Sequence, residues 1–319
     1  MQAGPEQLAE RALPAGAYFR GAGAAAIIGA MSIQRTVVIT GTSSGFGRLA
    51  AEAFAADGWK VYGTLRNVAT RNAAAADALR AAGVTPVELE VTDDRSVEAA
   101  AKRILDESPV IDVLVNNAGQ AFFGVTEAFT PEAVSRQLDI NVVGPLRVNR
   151  AFLPAMRERK AGLIVYVSSV VGRIVLPFTG PYTASKFALE AFAEATAYEL
   201  APFGVDVAIV QPGAFTTSIG ENITGADDAA RIASYGDVPA LAENVSAGLG
   251  AAAAERDAAE VARAILALAN APAGMRPLRT TVPADQATDM INAATAPVQR
   301  AVIEHFGLGV LLPKEPASA

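Results

Sequence analysis

The chain has 319 residues, 51% of them hydrophobic, enough to bury the core of one large α/β domain. Its formal net charge of −7 lacks the clustered Lys and Arg that nucleic-acid binding needs, so no nucleic-acid partner is expected. Cysteine is absent, which excludes disulfides, thiolate nucleophiles and Cys-ligated zinc, and the single histidine, His305, excludes a metal centre built on several imidazoles.

Residues 1–33 read as a leader. Ala22–Met31 is a short apolar run with acids in its flank, below the roughly 20 residues of a membrane span. A disordered leader, a signal peptide and a true start at Met31 are all open to it. From Arg35 onward, short β-branched runs alternate with alanine-rich helical patterns, which predicts βαβ units and a parallel sheet. The predicted strands are Thr36–Thr40, Lys60–Leu65, Val84–Glu90, Val110–Asn116, Gly162–Ser168, Val205–Gln211 and Leu278–Pro283. Seven strands of this kind give an α/β fold: a doubly wound, Rossmann-like parallel sheet with helices on both faces, filling a single domain over residues 34–319. No later run reaches 18 apolar residues, so a soluble, cytoplasmic protein without a membrane span is expected.

The first strand runs into Gly41, Thr42, Ser43, Ser44, Gly45, Phe46 and Gly47, and then into a helical pattern. Backbone N–H groups at a helix N-terminus, with the dipole's positive end, suit a pyrophosphate. The glycines are spaced G-x-x-x-G-x-G, not G-x-G-x-x-G, and a turn serving only packing is the competing reading. At the end of the second strand, Leu65 stands where an acid would select NAD, and Arg66 follows. A 2′-phosphate would meet a guanidinium there, so NADP is the expected cofactor and NAD the lesser alternative.

Further on come Asn116-Asn117-Ala118-Gly119 after the fourth strand, Asn141, Ser168-Ser169 after the fifth, and Tyr182 to Lys186 opening a helix. Tyr182 and Lys186 lie one turn apart on one helical face, so the ammonium can sit near the phenol and pull its pKa down from about 10. The phenol could then exchange a proton with a carbonyl or hydroxyl oxygen. Pro145, four residues after Asn141, has no N–H; if the helix continues, the Asn141 carbonyl lacks its usual partner and stays free for a water.

Taken in order, Thr-Gly-x-x-x-Gly-x-Gly, Asn-Asn-Ala-Gly, Ser, Tyr-x-x-x-Lys and Pro212-Gly213 resemble the short-chain dehydrogenase/reductase family over Arg35 to about Pro283. The resemblance implies catalytic roles for Asn141, Ser169, Tyr182 and Lys186. Ser169, thirteen residues before the tyrosine, matches the substrate-orienting serine, with Ser168 as its rival. It implies that Glu90 and Val91 lie near adenine, that Asn116 faces the adenine-side ribose with Ala118 and Gly119 beside the cofactor, and that Pro212, Gly213, Phe215 and Thr217 lie near the nicotinamide. The Asn141 carbonyl would hold a water leading to the lysine.

Residues 214–256, rich in Gly, Ala, Asn and Asp with weak periodicity, read as a substrate lid. Gln120, Phe122, Phe123, Val170, Val171 and Phe178 are the expected pocket residues, and their apolar character suits a lipophilic ketone, aldehyde or alcohol. A homodimer or homotetramer follows from the resemblance. Two other functions compete: a nucleotide sensor or scaffold without chemistry, and an isomerase or dehydratase that uses nicotinamide transiently.

Overall fold

The computed structural model describes residues 34–216 and 223–313; the leader and Thr217 lie outside the described residues. The strands are β1 (Thr36–Thr40), β2 (Lys60–Leu65), β3 (Val84–Glu88), β4 (Val113–Asn116), β5 (Phe122–Phe123), β6 (Gly162–Val167), β7 (Val205–Pro212), β8 (Thr224–Gly225) and β9 (Arg279–Val282). The α-helices are α1 (Gly45–Ala56), α2 (Ala73–Ala81), α3 (Asp94–Glu107), α4 (Pro131–Leu138), α5 (Gly144–Arg159), α6 (Gly180–Leu200), α7 (Ala229–Ser234), α8 (Leu241–Ala254), α9 (Ala259–Asn270) and α10 (Gln286–His305).

Seven strands pair in the order β3-β2-β1-β4-β6-β7-β9, and every pairing is parallel. The β-branched runs form strands because side chains on both faces find cover. Val37 and Ile39 of β1 enter one apolar layer with Ala50 and Phe54 of α1, Leu79 of α2 and Ile265 of α9. Val38 faces the opposite layer, with Val97 and Ile104 of α3 and Phe152 of α5. Further along the sheet, Ile164 and Ile209 meet Leu189 and Ala193 of α6. This is the doubly wound sheet that the alternation of patterns predicts, and the strand order reverses between β1 and β4, where ligands of such sheets bind.

Four predicted strands are shorter than expected, the fifth and seventh only by their end residues. The third stops at Glu88 because the Glu90 N–H donates to Ser96 Oγ (2.9 Å), which takes it out of the ladder. The fourth begins only at Val113, although the Asp112 main chain still bonds to Thr36 and Leu163; its carboxylate accepts from the Thr36 N–H (2.8 Å) and pairs with Arg159 (2.8 Å). In the weakly patterned segment after Phe215, the described residues form β8, α7 and α8; β8 pairs with β5 as a separate two-stranded sheet. Among the described residues, no helix is long and apolar enough to cross a membrane.

Candidate active site

The turn after β1 is shaped by close backbone approach. Gly41 and Gly45 have φ of +72° and +56°, the left-handed region that glycine enters without strain. A Cβ on Gly41 would stand 2.8 Å from Ala118 Cα, and one on Gly47 would overlap the Gly41 carbonyl and the Asn117 amide. Asn117 closes this turn by donating to the Thr40 carbonyl (2.9 Å) and the Gly41 carbonyl (3.1 Å), while Thr40 Oγ1 accepts from the N–H groups of Asn117 and Ala118 (3.0 Å each). Asn117 is a functional position beyond those expected from the sequence, and its place inside Asn-Asn-Ala-Gly is the signal for it. The turn leads straight into α1, which carries no acid in its first turn. A glycine cradle at a helix N-terminus fits a dinucleotide's phosphates.

Arg66 lies at the end of β2, exposed, and pairs with Glu90 at 3.2 Å. The carboxylate of Glu88 is engaged elsewhere, accepting from the N–H groups of Asn67 (2.6 Å) and Val68 (2.7 Å). Two residues assigned separately to the cofactor thus hold each other. Val91 is buried and packs where Gly144 leaves room: a Cβ there would come within 3.0 Å of Val91 Cβ.

The Asn116 side chain turns to the interior. It is 2% exposed and donates to Asn149 Oδ1 (2.9 Å), and Asn149 in turn donates to the Tyr166 hydroxyl (2.5 Å). Phe122 likewise turns inward, 1% exposed and stacked on Phe129 at 5.7 Å, because β5 presents its two rings to opposite sides. Phe123 remains partly exposed, 6.3 Å from Phe178. Gln120, at the cleft, donates to Thr224 Oγ1 of β8 (2.7 Å).

Asn141 sits in a π-helical turn over Asp139–Val143, between α4 and α5, where the Gly144 N–H bonds back to the Asp139 carbonyl. The winding there is wider than the α-helix assumed in counting from Asn141 to Pro145. The side chain is fully used: it accepts from the Gln120 N–H (2.9 Å) and donates to the Gln120 carbonyl (3.0 Å) and Ser185 Oγ (3.0 Å). Asn141 therefore staples the loop after β4 to α6. Ser185, and Gln137 donating to the same carbonyl (2.7 Å), share that task. A serine between Tyr182 and Lys186 is visible in the sequence; its partner is not.

At the end of β6, Ser169 Oγ accepts from the Val171 N–H and donates to the Pro212 carbonyl, both at 3.3 Å, and it stands beside the Tyr182 phenol. Ser168 points away, toward Gly172 and Glu190. Lys186, 6% exposed, donates to the Val167 carbonyl (2.9 Å) and lies 5.7 Å from the Tyr182 ring centre. Its effect on the phenol is smaller than expected. Burial pushes the phenol up to about 12, and the Ser169 hydroxyl pulls it the other way. Burial also pushes Lys186 down to about 8, with the Glu190 carboxylate opposing. Beyond β7, Phe215 meets Phe46 of the glycine turn edge to face at 5.5 Å, and Arg256 donates to the Ala214 carbonyl (3.3 Å), so the Pro212–Phe215 turn closes on the cradle.

Comparison with known proteins agrees with this geometry. The family model described as short chain dehydrogenase matches residues 35–228. The chain is 39% identical over 186 residues to 3-ketodihydrosphingosine reductase of Bacteroides thetaiotaomicron, covering 58% of this chain and 66% of that one. It is 42% identical over 204 residues to 17-beta-hydroxysteroid dehydrogenase type 1 of Homo sapiens, covering 61% and 62%. These alignments thus span somewhat less than two thirds of either relative. Among solved structures, a short-chain dehydrogenase from Streptomyces avermitilis superposes with TM-score 0.68 and 32% identity over 87% of this chain and 97% of that one. An alcohol dehydrogenase from Thermococcus sibiricus complexed with 5-hydroxy-NADP gives 0.62 and 26% over 78% and 95%. A short chain dehydrogenase/reductase from Burkholderia phymatum in complex with NAD gives 0.66 and 26% over 90% and 98%. With the glycine cradle, the Ser-Tyr-Lys cluster and a family match over most of the sheet, this chain belongs to the short chain dehydrogenase family.

Proposed function

We propose that this protein is an oxidoreductase that moves a hydride between NADP(H) and a carbonyl or secondary-alcohol carbon of a lipophilic substrate. The observation that carries this reading is the meeting of the Ser169 hydroxyl, the Tyr182 phenol and the Lys186 amine beyond the carboxyl end of β6, on the same edge of the sheet as the glycine cradle after β1. When bound, the nicotinamide supplies or takes up the hydride. Tyr182 gives a proton to the substrate's oxygen in reduction and takes one in oxidation. Ser169 orients that oxygen and stabilises the charge that develops on it. Lys186 holds positive charge one turn from the phenol, and Asn141 keeps α6 in register with the loop after β4.

Gly41, Thr42, Ser43, Ser44, Gly45, Phe46 and Gly47 would hold the pyrophosphate, and Arg66 the 2′-phosphate. Support for NADP over NAD is the guanidinium at the end of β2 and the absence of an acid at Leu65. The apolar residues Phe123, Val170 and Phe178 at the cleft, and the sphingosine-type and steroid names of the two relatives, support a lipophilic substrate. Segment 214–256 would serve as lid: β8 is tied to the cleft through Gln120, and in α8 only Ala253 is buried. Exposed Val143, Leu146, Phe187 and Phe192 on and beside α5 and α6 support a homodimer or homotetramer, and we place the enzyme in the cytoplasm.

Following NADPH absorbance against a panel of lipophilic ketones and aldehydes tests the proposal, with polyols and sugars as the contrasting set. Turnover of the first set supports it, and turnover of polyols or sugars alone overturns the substrate class. Binding of NADPH without consumption would instead mark a sensor, and retention of nucleotide through purification with no net consumption an isomerase or dehydratase.

A further inference from the structure

Helix α6 carries a stripe of functional groups at four-residue spacing: Tyr182, Lys186, Glu190, Glu194 and Tyr198. The first two belong to the site described above, and the rest run into the interior toward the far edge of the sheet. Glu190 is 2% exposed, and its carboxylate is held from two strands. Gln211 of β7 donates to Oε1 (2.7 Å) and Arg279 of β9 donates to Oε2 (2.8 Å). Arg279 also reaches Glu194 (2.5 Å), which accepts from the Tyr198 hydroxyl (2.6 Å). Gln211 is steadied by Asn292 of α10 (2.8 Å), and Arg173, on the loop after Ser169, donates to Thr295 of the same helix (2.5 Å). Gly172 makes the approach possible, since a Cβ there would come within 3.1 Å of the Glu190 side chain.

A buried carboxylate in a protein interior must be matched by cations, and the charges facing Glu190 are Lys186 and Glu194 on its own helix, Arg279 from β9 and Arg173 from the loop after β6. Facing Lys186 are the Tyr182 phenol, the Val167 carbonyl and Glu190. Glu190, one turn from Lys186 on the same buried face of α6, is thus the carboxylate placed to act on the buried amine among the described residues, and its ion pair with Arg279 takes up part of its charge.

We infer that Glu190 is a positioning residue that keeps Lys186 charged in its buried seat, with Arg279 of the last strand setting how much of the carboxylate's field the amine feels. The inference rests on the reading of Lys186 as the active-site amine. The segment from β9 to α10 lies beyond the residues matched by the family model, yet it ends up controlling a group at the centre of the site. Because burial drives the amine toward neutrality and Glu190 opposes that drive, removing the carboxylate lowers the pH at which Lys186 loses its proton, whereas removing the guanidinium raises it.

The test is an NMR titration of the full chain with 13C-labelled lysine side chains. The sequence holds five lysines, Lys60, Lys102, Lys160, Lys186 and Lys314, so the signals are few and Lys186→Met identifies the one of interest. The wild-type midpoint is expected near about 8. Glu190→Gln should move it down by about one pH unit, and Arg279→Gln should move it up by about half a unit or more. An unchanged midpoint in Glu190→Gln, or a downward shift in Arg279→Gln, overturns the inference; should one variant fail to fold, the sign of the other decides.

A catalytic readout follows the same sign. With NADPH and a lipophilic ketone, the alkaline limb of kcat in Glu190→Gln should move with the lysine midpoint, with about a fivefold loss at pH 8 as the charged fraction falls from about a half to about a tenth. KM for NADPH should stay within about twofold, since Glu190 lies one turn behind the lysine. A wild type that never consumes NADPH, with the lysine midpoint still shifting as described, would remove the redox reading and leave this one standing.

Discussion

Between β2 and β4 the cleft is shaped by main chain, whereas between β6 and β9 it is shaped by buried side chains. On the first side the decisive contacts are carbonyls, amides and missing Cβ atoms: Gly41 against Ala118, Gly47 against the Gly41 carbonyl, Asn117 bonded to two carbonyls. On the second side they are a hydroxyl, a phenol, an amine and a chain of buried charges from Lys186 to Arg279. A backbone cradle binds the same way at any pH. A cluster of side-chain charges changes with every proton, so binding and chemistry should separate cleanly under mutation and pH.

The largest effect should come from breaking the side-chain half alone. Tyr182→Phe removes the proton carrier and should lower kcat about 10³-fold, while the Kd for NADPH, read by fluorescence, stays within about twofold. A comparable loss in both would mean that the two halves are not separable.

The next test concerns the same phenol. Its pKa is pushed up to about 12 by burial, so protein without nucleotide should hold Tyr182 protonated through pH 10, and its tyrosinate absorbance should rise only near the top of the titration. An oxidised, positively charged nicotinamide stabilises the phenolate, so saturating NADP+ should move the midpoint down and leave Tyr182→Phe without that change. The sign follows from charge: a cation lowers the pKa of an acid that ionises to an anion. A midpoint near 7 without nucleotide would show that Lys186 suffices by itself, as the spacing alone suggests.

The two halves also differ in how far the sequence announces them. The glycine turn was legible because residue type dictates backbone: only glycine takes φ of +72° at Gly41 without strain. The sheet was legible for a similar reason, since alternating patterns fix parallel βαβ units before any contact is known. Tyr182 and Lys186 could be paired through helical periodicity. The partners that decide their charge could not, because Arg279 lies 89 residues from Glu190 and no local pattern links them. Asn116 has a motif position that points to the cofactor, while the Asn149 and Tyr166 side chains that hold its amide are contributed by elements distant in sequence. The π turn at Asn141 shows that counting residues assumes a winding that the sequence does not state.

Breaking the main-chain half should cost stability before it costs chemistry. Gly41→Ala places a methyl 2.8 Å from Ala118 Cα at a positive φ, and strain plus overlap should destabilise the fold by about 2–4 kcal/mol in urea unfolding. The fraction that remains folded should bind NADPH more weakly. Gly58, also at positive φ but with nothing within 4 Å of a Cβ, is the control: Gly58→Ala should cost only about 1 kcal/mol.

The smallest effect sharpens the comparison most, because Arg66 is the one side chain on which the backbone half depends for cofactor choice. Its guanidinium is 61% exposed and paired with Glu90, whose carboxylate would repel a 2′-phosphate. An exposed pair of this kind is worth only about 0–1 kcal/mol, so a dianionic phosphate offering charge-assisted bonds can displace Glu90 without large cost. Arg66→Leu should therefore raise KM for NADPH about tenfold and leave KM for NADH within about twofold. Glu90→Gln removes the competitor and should lower KM for NADPH by about threefold, with NADH again unmoved. If wild type shows a lower KM for NADH than for NADPH, the guanidinium belongs to Glu90 alone and the cradle takes NAD.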